Sequence, residues 1–168
     1  LQRHPLAYLV SHMVIVPLLD LYATACDWLP HQPTGPHEVP VALLWFLAVS
    51  FCNGVVIEIG RKTWAPTQER PGVESYSGSW GIPRAVAGWA GALVAAGGCA
   101  VMVMAQLPFF WPLVASLSGL ITLLIVLGVR FLRNPTADGA KRLETAAGLW
   151  VATLYVLLGI VPMGVQLW

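Results

Sequence analysis

The chain reads as an all-α protein, a polytopic bundle of about five membrane-spanning helices. Three observations predict this. Of the 168 residues, 57% are hydrophobic and 10% charged, where a soluble domain carries roughly 25% charged residues. The mean hydropathy is +0.72, and so few charges cannot cover a soluble domain of this size. The apolar residues also fall into five runs, each near the ~20 residues that a helix needs to cross a bilayer. In hydrocarbon the backbone must satisfy itself, so such runs are helices.

The first run, residues 6–28, holds His12, Pro17 and Asp20. No small-residue cleavage site and soluble domain follow it, so it does not read as a signal peptide. The second, 40–59, carries Asn53 and Glu58 towards its end. The third, 85–107, contains "GWAGALVAAGG", whose small residues suit close helix packing. The fourth covers 109–129 and the fifth 145–168. Between the last two, "NPTADGAKRLE" reads as a turn, with Asp138-Gly139 as turn chemistry and Glu144 near a helix start. Between the second and third lies a polar loop, residues 60–84, the longest polar stretch. Long ordered loops in compact proteins are often functional.

Charge fixes the expected orientation. Arg3 precedes the first run; Arg61, Lys62, Arg70 and Arg84 lie in the polar loop; Arg130, Arg133, Lys141 and Arg142 lie between the fourth and fifth runs. Five alternating spans put every Lys and Arg on one side, which the positive-inside rule makes cytoplasmic. The N-terminus is then cytoplasmic and the C-terminus outside, with Trp28, Trp111 and Trp168 in an aromatic belt at the opposite face. The expected setting is an inner, cytoplasmic membrane with the polar loop on its cytoplasmic side. No basic tract or nucleic-acid motif is present, so no nucleic acid is expected as partner. Cys26, Cys52 and Cys99 lie singly in apolar runs and read as packing residues.

Polar residues inside the runs carry the functional question. Asp20 is costly at its depth and should face the bundle interior or a wet cavity. With Tyr8, His12 and Asp27 it draws a polar stripe. The stripe serves either a structural hydrogen bond or the ion path of a small transporter or channel subunit. A non-catalytic membrane assembly subunit is a further reading. Asn53 can join helices, and Glu58 can pair with Lys62 at four residues' spacing. In the loop, Glu58, Glu69 and Glu74 stand near Arg61, Lys62 and Arg70. Such carboxylates can hold Mg²⁺ together with substrate phosphates, and such cations can clamp phosphate. That mixture suits a diphosphate headgroup with its tail among the helices; it equally describes a solvated loop with local ion pairs. His31, His37 and Glu38 in "HQPTGPHE" offer a weaker metal set.

The layout "FCNGVVIEIGRK…ERPGVESYSGSWG" resembles the second acidic motif and following loop of the UbiA superfamily of intramembrane prenyltransferases. Glu69-Arg70, Gly72, Ser75 and Gly81 fill places comparable to that motif, and Glu58 stands for its earlier acid. The family uses Asp where this chain has Glu, and the interval from Glu58 to Glu69 is wider. The resemblance aligns the five spans with helices five to nine of a nine-helix bundle. It implies the C-terminal part of a larger protein, lacking the first acidic motif, or a short relative that works with missing N-terminal helices or a partner subunit. It also implies Mg²⁺-dependent transfer of an isoprenyl group from a diphosphate donor to an unknown acceptor, in contact with membrane lipid. Glu58 and Glu69 would be catalytic and hold the metal. Asn53, Arg61, Lys62, Arg70, Tyr76 and Asp20 would bind substrate.

Overall fold

The computed structural model describes residues 5–31, 39–105 and 109–160. All regular structure among them is helical. The longer elements are α1 (Pro5–Met13), α2 (Ile15–Trp28), α3 (Val41–Arg61), α4 (Tyr76–Trp80), α5 (Ile82–Met104), α6 (Phe110–Arg133) and α7 (Ala137–Tyr155). One-turn 3₁₀ segments at Leu29–His31 and Pro66–Gln68 and a π segment at Val156–Ile160 complete the set. Five stretches are long and apolar enough to cross a membrane: Leu6–Trp28, Val41–Arg61, Ile82–Met104, Phe110–Arg133 and Ala137–Ile160. The chain is thus built as an integral membrane protein.

The first span is interrupted at Val14. Pro17 lacks an N–H and crowds the carbonyl four residues back, at Met13, so the ladder breaks where α1 ends. α3 begins behind Pro40, whose φ of −55° and ψ of 132° hold it outside the helix. α5 begins behind Gly81, which has φ 81°, a value that costs L side chains heavily. Pro83 follows in the first turn of α5, where its missing N–H loses nothing.

α3 is the hub. It packs on α5, α7, α2 and α1, and α5 packs in turn on α6. The buried face of α5 is mostly small: Ala85, Ala92, Ala96, Gly97 and Ala100, with Trp89 and Leu93 between them. Small residues let backbones approach where lipid gives no hydrophobic drive for association. At Gly60 a Cβ would stand 2.9 Å from the Cβ of Ala147, so α3 and α7 nearly touch there.

Close approaches also fix which ends cluster. Gly60, near the end of α3, meets Leu143 and Ala147 of early α7; Gly128, late in α6, meets Val86 and Trp89 of early α5. Lys62 Nζ lies 5.2 Å from the centre of the Tyr8 ring in α1. The end of α3, the end of α6 and the starts of α1, α5 and α7 therefore share one end of the bundle. The Lys and Arg residues among the described positions gather there. Trp28 and Trp111 close elements at the far end; Trp168 lies outside the described residues.

Two expectations need correction. The connection before the last span is short. α7 starts at Ala137, leaving residues 134–136 as the link, with Asp138 and Gly139 already helical. Thr136 Oγ1 accepts the Gly139 N–H at 3.1 Å, and Asp138 in the first turn complements the helix dipole. Capping prevails over the turn tendency of Asp-Gly. The polar loop is likewise shorter than residues 60–84. α3 runs through Arg61, α5 opens at Ile82, and α4 and a 3₁₀ turn lie between.

Candidate functional site

The candidate site sits at the basic end, where α3 gives way to the loop. Glu58 faces inward on the last turns of α3, with its side chain 5% exposed. Its Oε2 lies 2.7 Å from an Arg61 guanidinium nitrogen, and its Oε1 lies 2.7 Å from Lys62 Nζ. The Lys62 ammonium also lies over the Tyr8 ring, a cation–π contact. The pairing expected from sequence is present, and Arg61 joins it.

Beyond Lys62 the chain folds back on itself. Thr63 Oγ1 donates to the Ile59 carbonyl at 2.7 Å and finishes the helix. The Gln68 side chain accepts the Ala65 N–H at 3.1 Å. The Tyr76 N–H then donates to the Lys62 carbonyl at 2.9 Å, joining the two sides of the loop.

Glu69 organises the return. Its carboxylate accepts the Ser75 hydroxyl, at 2.6 Å to Oε2, and the Ser77 hydroxyl at 2.7 Å to Oε1. Ser75 Oγ accepts the Gly78 N–H at 2.9 Å as the cap of α4. Ser77 Oγ accepts the Trp64 N–H at 2.7 Å. Tyr76 lies between these two serines and is held through both.

Tyr76 is the group left unspent. It is 4% exposed, its ring packs 4.5 Å from Trp80, and its buried hydroxyl has no hydrogen-bond partner. Burial first, then the nearby Glu58 carboxylate, pushes its pKa up to about 12, so the hydroxyl keeps its proton and can donate. A small cavity of about 20 Å³ opens there, lined by Tyr8, Lys62, Glu74, Ser75, Tyr76 and Ser79. A buried polar group without a partner is costly in a folded protein, and such groups concentrate where a ligand or water completes them.

The other expected residues lie elsewhere. Arg70 is exposed and lines a separate open cavity of about 400 Å³ with Trp64, Thr67, Gln68 and Val73. Asn53 is buried deeper in α3, where its Oδ1 accepts Trp150 Nε1 at 3.0 Å, joining α3 to α7. Its Nδ2 has no partner. Tyr155 repeats the link by donating to Ser50 Oγ at 3.1 Å. Asp20 lies on α2, with Oδ2 buried and without a hydrogen bond. His12 is exposed and stacks on Tyr8 with ring centres 5.7 Å apart. Asp27 is exposed at the far end of α2. His37 and Glu38 lie outside the described residues.

The carboxylates that the resemblance assigns to Mg²⁺ do not fit the ion as they are held. Both oxygens of Glu58 face cations, and both oxygens of Glu69 accept serine hydroxyls. Two cations on one carboxylate favour an anion and oppose a further cation. Among the described residues no three His, Cys, Asp or Glu side chains are grouped to hold a metal. Cys26, Cys52 and Cys99 are free thiols.

Sequence reasoning missed Ser77, and it named Ser75 and Tyr8 without the partners they have here, Glu69 and Lys62. Ser75, three residues before Gly78 and at the mouth of a short helix, carries a capping signal that could have been read. Nothing local announces that Trp150 meets Asn53.

The fold and site together describe a five-span helical membrane protein with a cation-bearing, hydroxyl-lined pocket at one end. Comparison with protein-family models, with curated proteins and with solved structures finds no match for this chain.

Proposed function

We propose that this chain is a UbiA-like prenyltransferase or part of one, and that its basic end receives the diphosphate of an isoprenyl donor. The positive-inside rule favours the cytoplasmic face for the basic end. The observation that carries the reading is the buried, protonated and unpartnered Tyr76 hydroxyl beside Lys62, at the mouth of an apolar bundle. An amphiphile with an anionic head and an apolar tail satisfies both parts at once.

In this reading Lys62 and Arg61 attract the diphosphate, and Tyr76 donates a hydrogen bond to one of its oxygens. The donor's allylic carbon–oxygen bond breaks, the bonding pair leaves with the diphosphate, an acceptor nucleophile attacks the carbon, and the proton that the acceptor loses passes to the departing diphosphate. Charge grows on the leaving oxygens, where fixed donors in a dry site act most strongly. Glu58 holds the two cations in place, and Glu69 holds Tyr76.

The test uses the full chain in lipid nanodiscs with a photoreactive isoprenyl diphosphate. Cross-linking that inorganic pyrophosphate competes away, and that Y76F and K62M weaken about tenfold, supports the reading. Labelling that is indifferent to pyrophosphate and to both variants sinks it.

A second reading, a small ion or proton transporter, draws on the buried unpartnered oxygen of Asp20 in the first span. Flux across liposomes that D20N abolishes would favour it. Effects of D20N and E69A confined to stability would favour a non-catalytic assembly subunit.

A further inference from the structure

A second cavity lies at the same end of the bundle, on different residues. It has a volume of about 380 Å³ and opens between the last turns of α6 and the first turns of α7. Arg130 and Asn134 form one wall, Arg142 the other, and Leu127 and Phe131 line it too. The Phe131 ring is fixed: it is 2% exposed, and a Cβ on Gly139 would stand 2.8 Å from it.

The two arginines outnumber the single carboxylate here. The ion pairs among the described residues join Glu58 to Arg61 and Lys62, and Lys141 to Glu144; none reaches Arg130 or Arg142. Asp138 lies at the rim, but it stands in the first turn of α7, whose dipole offsets it. Two guanidiniums therefore face one cavity that holds a single carboxylate at its edge.

Depth narrows the ligand. α6 has 24 residues and is about 36 Å long, against a hydrocarbon core of about 30 Å. Arg130 stands one turn from the end of α6, and Arg142 little more than one turn inside α7. Both heads thus reach the level of lipid phosphates, while Leu127, about a turn deeper on α6, faces the apolar layer. Guanidinium pairs bind phosphate in forked geometry, and basic pockets between spanning helices take lipid headgroups.

We propose that this cavity binds the phosphate of an anionic phospholipid, with Arg130 and Arg142 on the phosphate, the fixed Phe131 ring behind them, and Leu127 against the upper acyl chain. A free phosphate offers the same oxygens without the apolar part, and the experiment separates the two.

Full-length protein in detergent is titrated separately with phosphatidylglycerol, with phosphatidylcholine and with inorganic phosphate. Affinity is read by native mass spectrometry and by the lipid-dependent rise in Tm. The expected result is a preference for phosphatidylglycerol that falls about fivefold for each of R130Q and R142Q. R133Q, on the same turn but not lining the cavity, serves as control and keeps the preference. Both arginines are exposed, so the variants should fold, and equal Tm without lipid confirms it. Three outcomes overturn the proposal: equal binding of phosphatidylcholine, an equal response to inorganic phosphate alone, or undiminished phosphatidylglycerol binding by the R130Q/R142Q double variant.

Discussion

The Tyr76 N–H donates to the Lys62 carbonyl at 2.9 Å, and the side chains of the same two residues line one small cavity. One backbone bond therefore sets the spacing between the ammonium and the phenol. The main chain at both residues is thereby tied to the end of α3.

The phenol can be tested without disturbing that bond. Y76F keeps the ring against Trp80 and removes only the unpartnered hydroxyl, so stability should hold or rise slightly. Affinity for an isoprenyl diphosphate should fall about tenfold. A pKa raised to about 12 leaves the donor protonated at every lower pH. The ratio of wild-type to Y76F affinity should then stay flat from about pH 6 to about pH 9. A ratio that collapses within that window would show that the hydroxyl is not the donor.

Glu58 separates two roles. As a counter-ion it restrains Lys62 and Arg61, so E58Q should leave diphosphate binding intact or tighten it a few-fold, at some loss of Tm for the partly buried lysine. As a metal ligand it would be indispensable. Titration of pyrophosphate into E58Q, with Mg²⁺ and with EDTA, distinguishes these. Binding lost only in the presence of Mg²⁺ would return Glu58 to the metal role.

Glu69 should behave as a clamp. E69A strips the charged acceptor from two hydroxyls and should loosen the segment by about 1–3 kcal/mol. S77A should do much the same, because it also removes the acceptor for the Trp64 N–H. Hydrogen exchange across residues 62–81 should rise in both variants. Protection unchanged in E69A would refute the clamp.

Gly60 tests the packing of the hub. In G60A the new methyl meets the Ala147 Cβ at 2.9 Å and the Leu143 carbonyl at 3.5 Å, neither of them the end of a flexible chain. α3 and α7 must move apart, at about 1–3 kcal/mol. The measurement is a denaturation midpoint, with G98A as the tolerated comparison, since nothing lies within 4 Å of a Cβ there.

The five spans were legible because lipid imposes one rule on every residue of a crossing helix. Their ends were not. Hydropathy falls at the first charge, yet Arg61 and Arg133 remain helical, since long basic side chains reach the interface without breaking the helix. The start of α7 was hidden for the same reason, and Thr136 rather than hydropathy marks it. At the site, the Glu58–Lys62 pair followed from helical spacing. The engagement of Glu69 by Ser75 and Ser77 depends on how the loop turns back, and the Asn53–Trp150 bond on two helices far apart in sequence. No local pattern encodes either.

The short link between α6 and α7 has a mechanical consequence. With only residues 134–136 between Arg133 and Ala137, the end of α6 and the start of α7 stay within about 14 Å of each other. If a thinner or thicker bilayer tilts one helix, the joined end of the other is carried with it. Arg130 and Arg142, one on each side of that link, then stay neighbours while their depth changes.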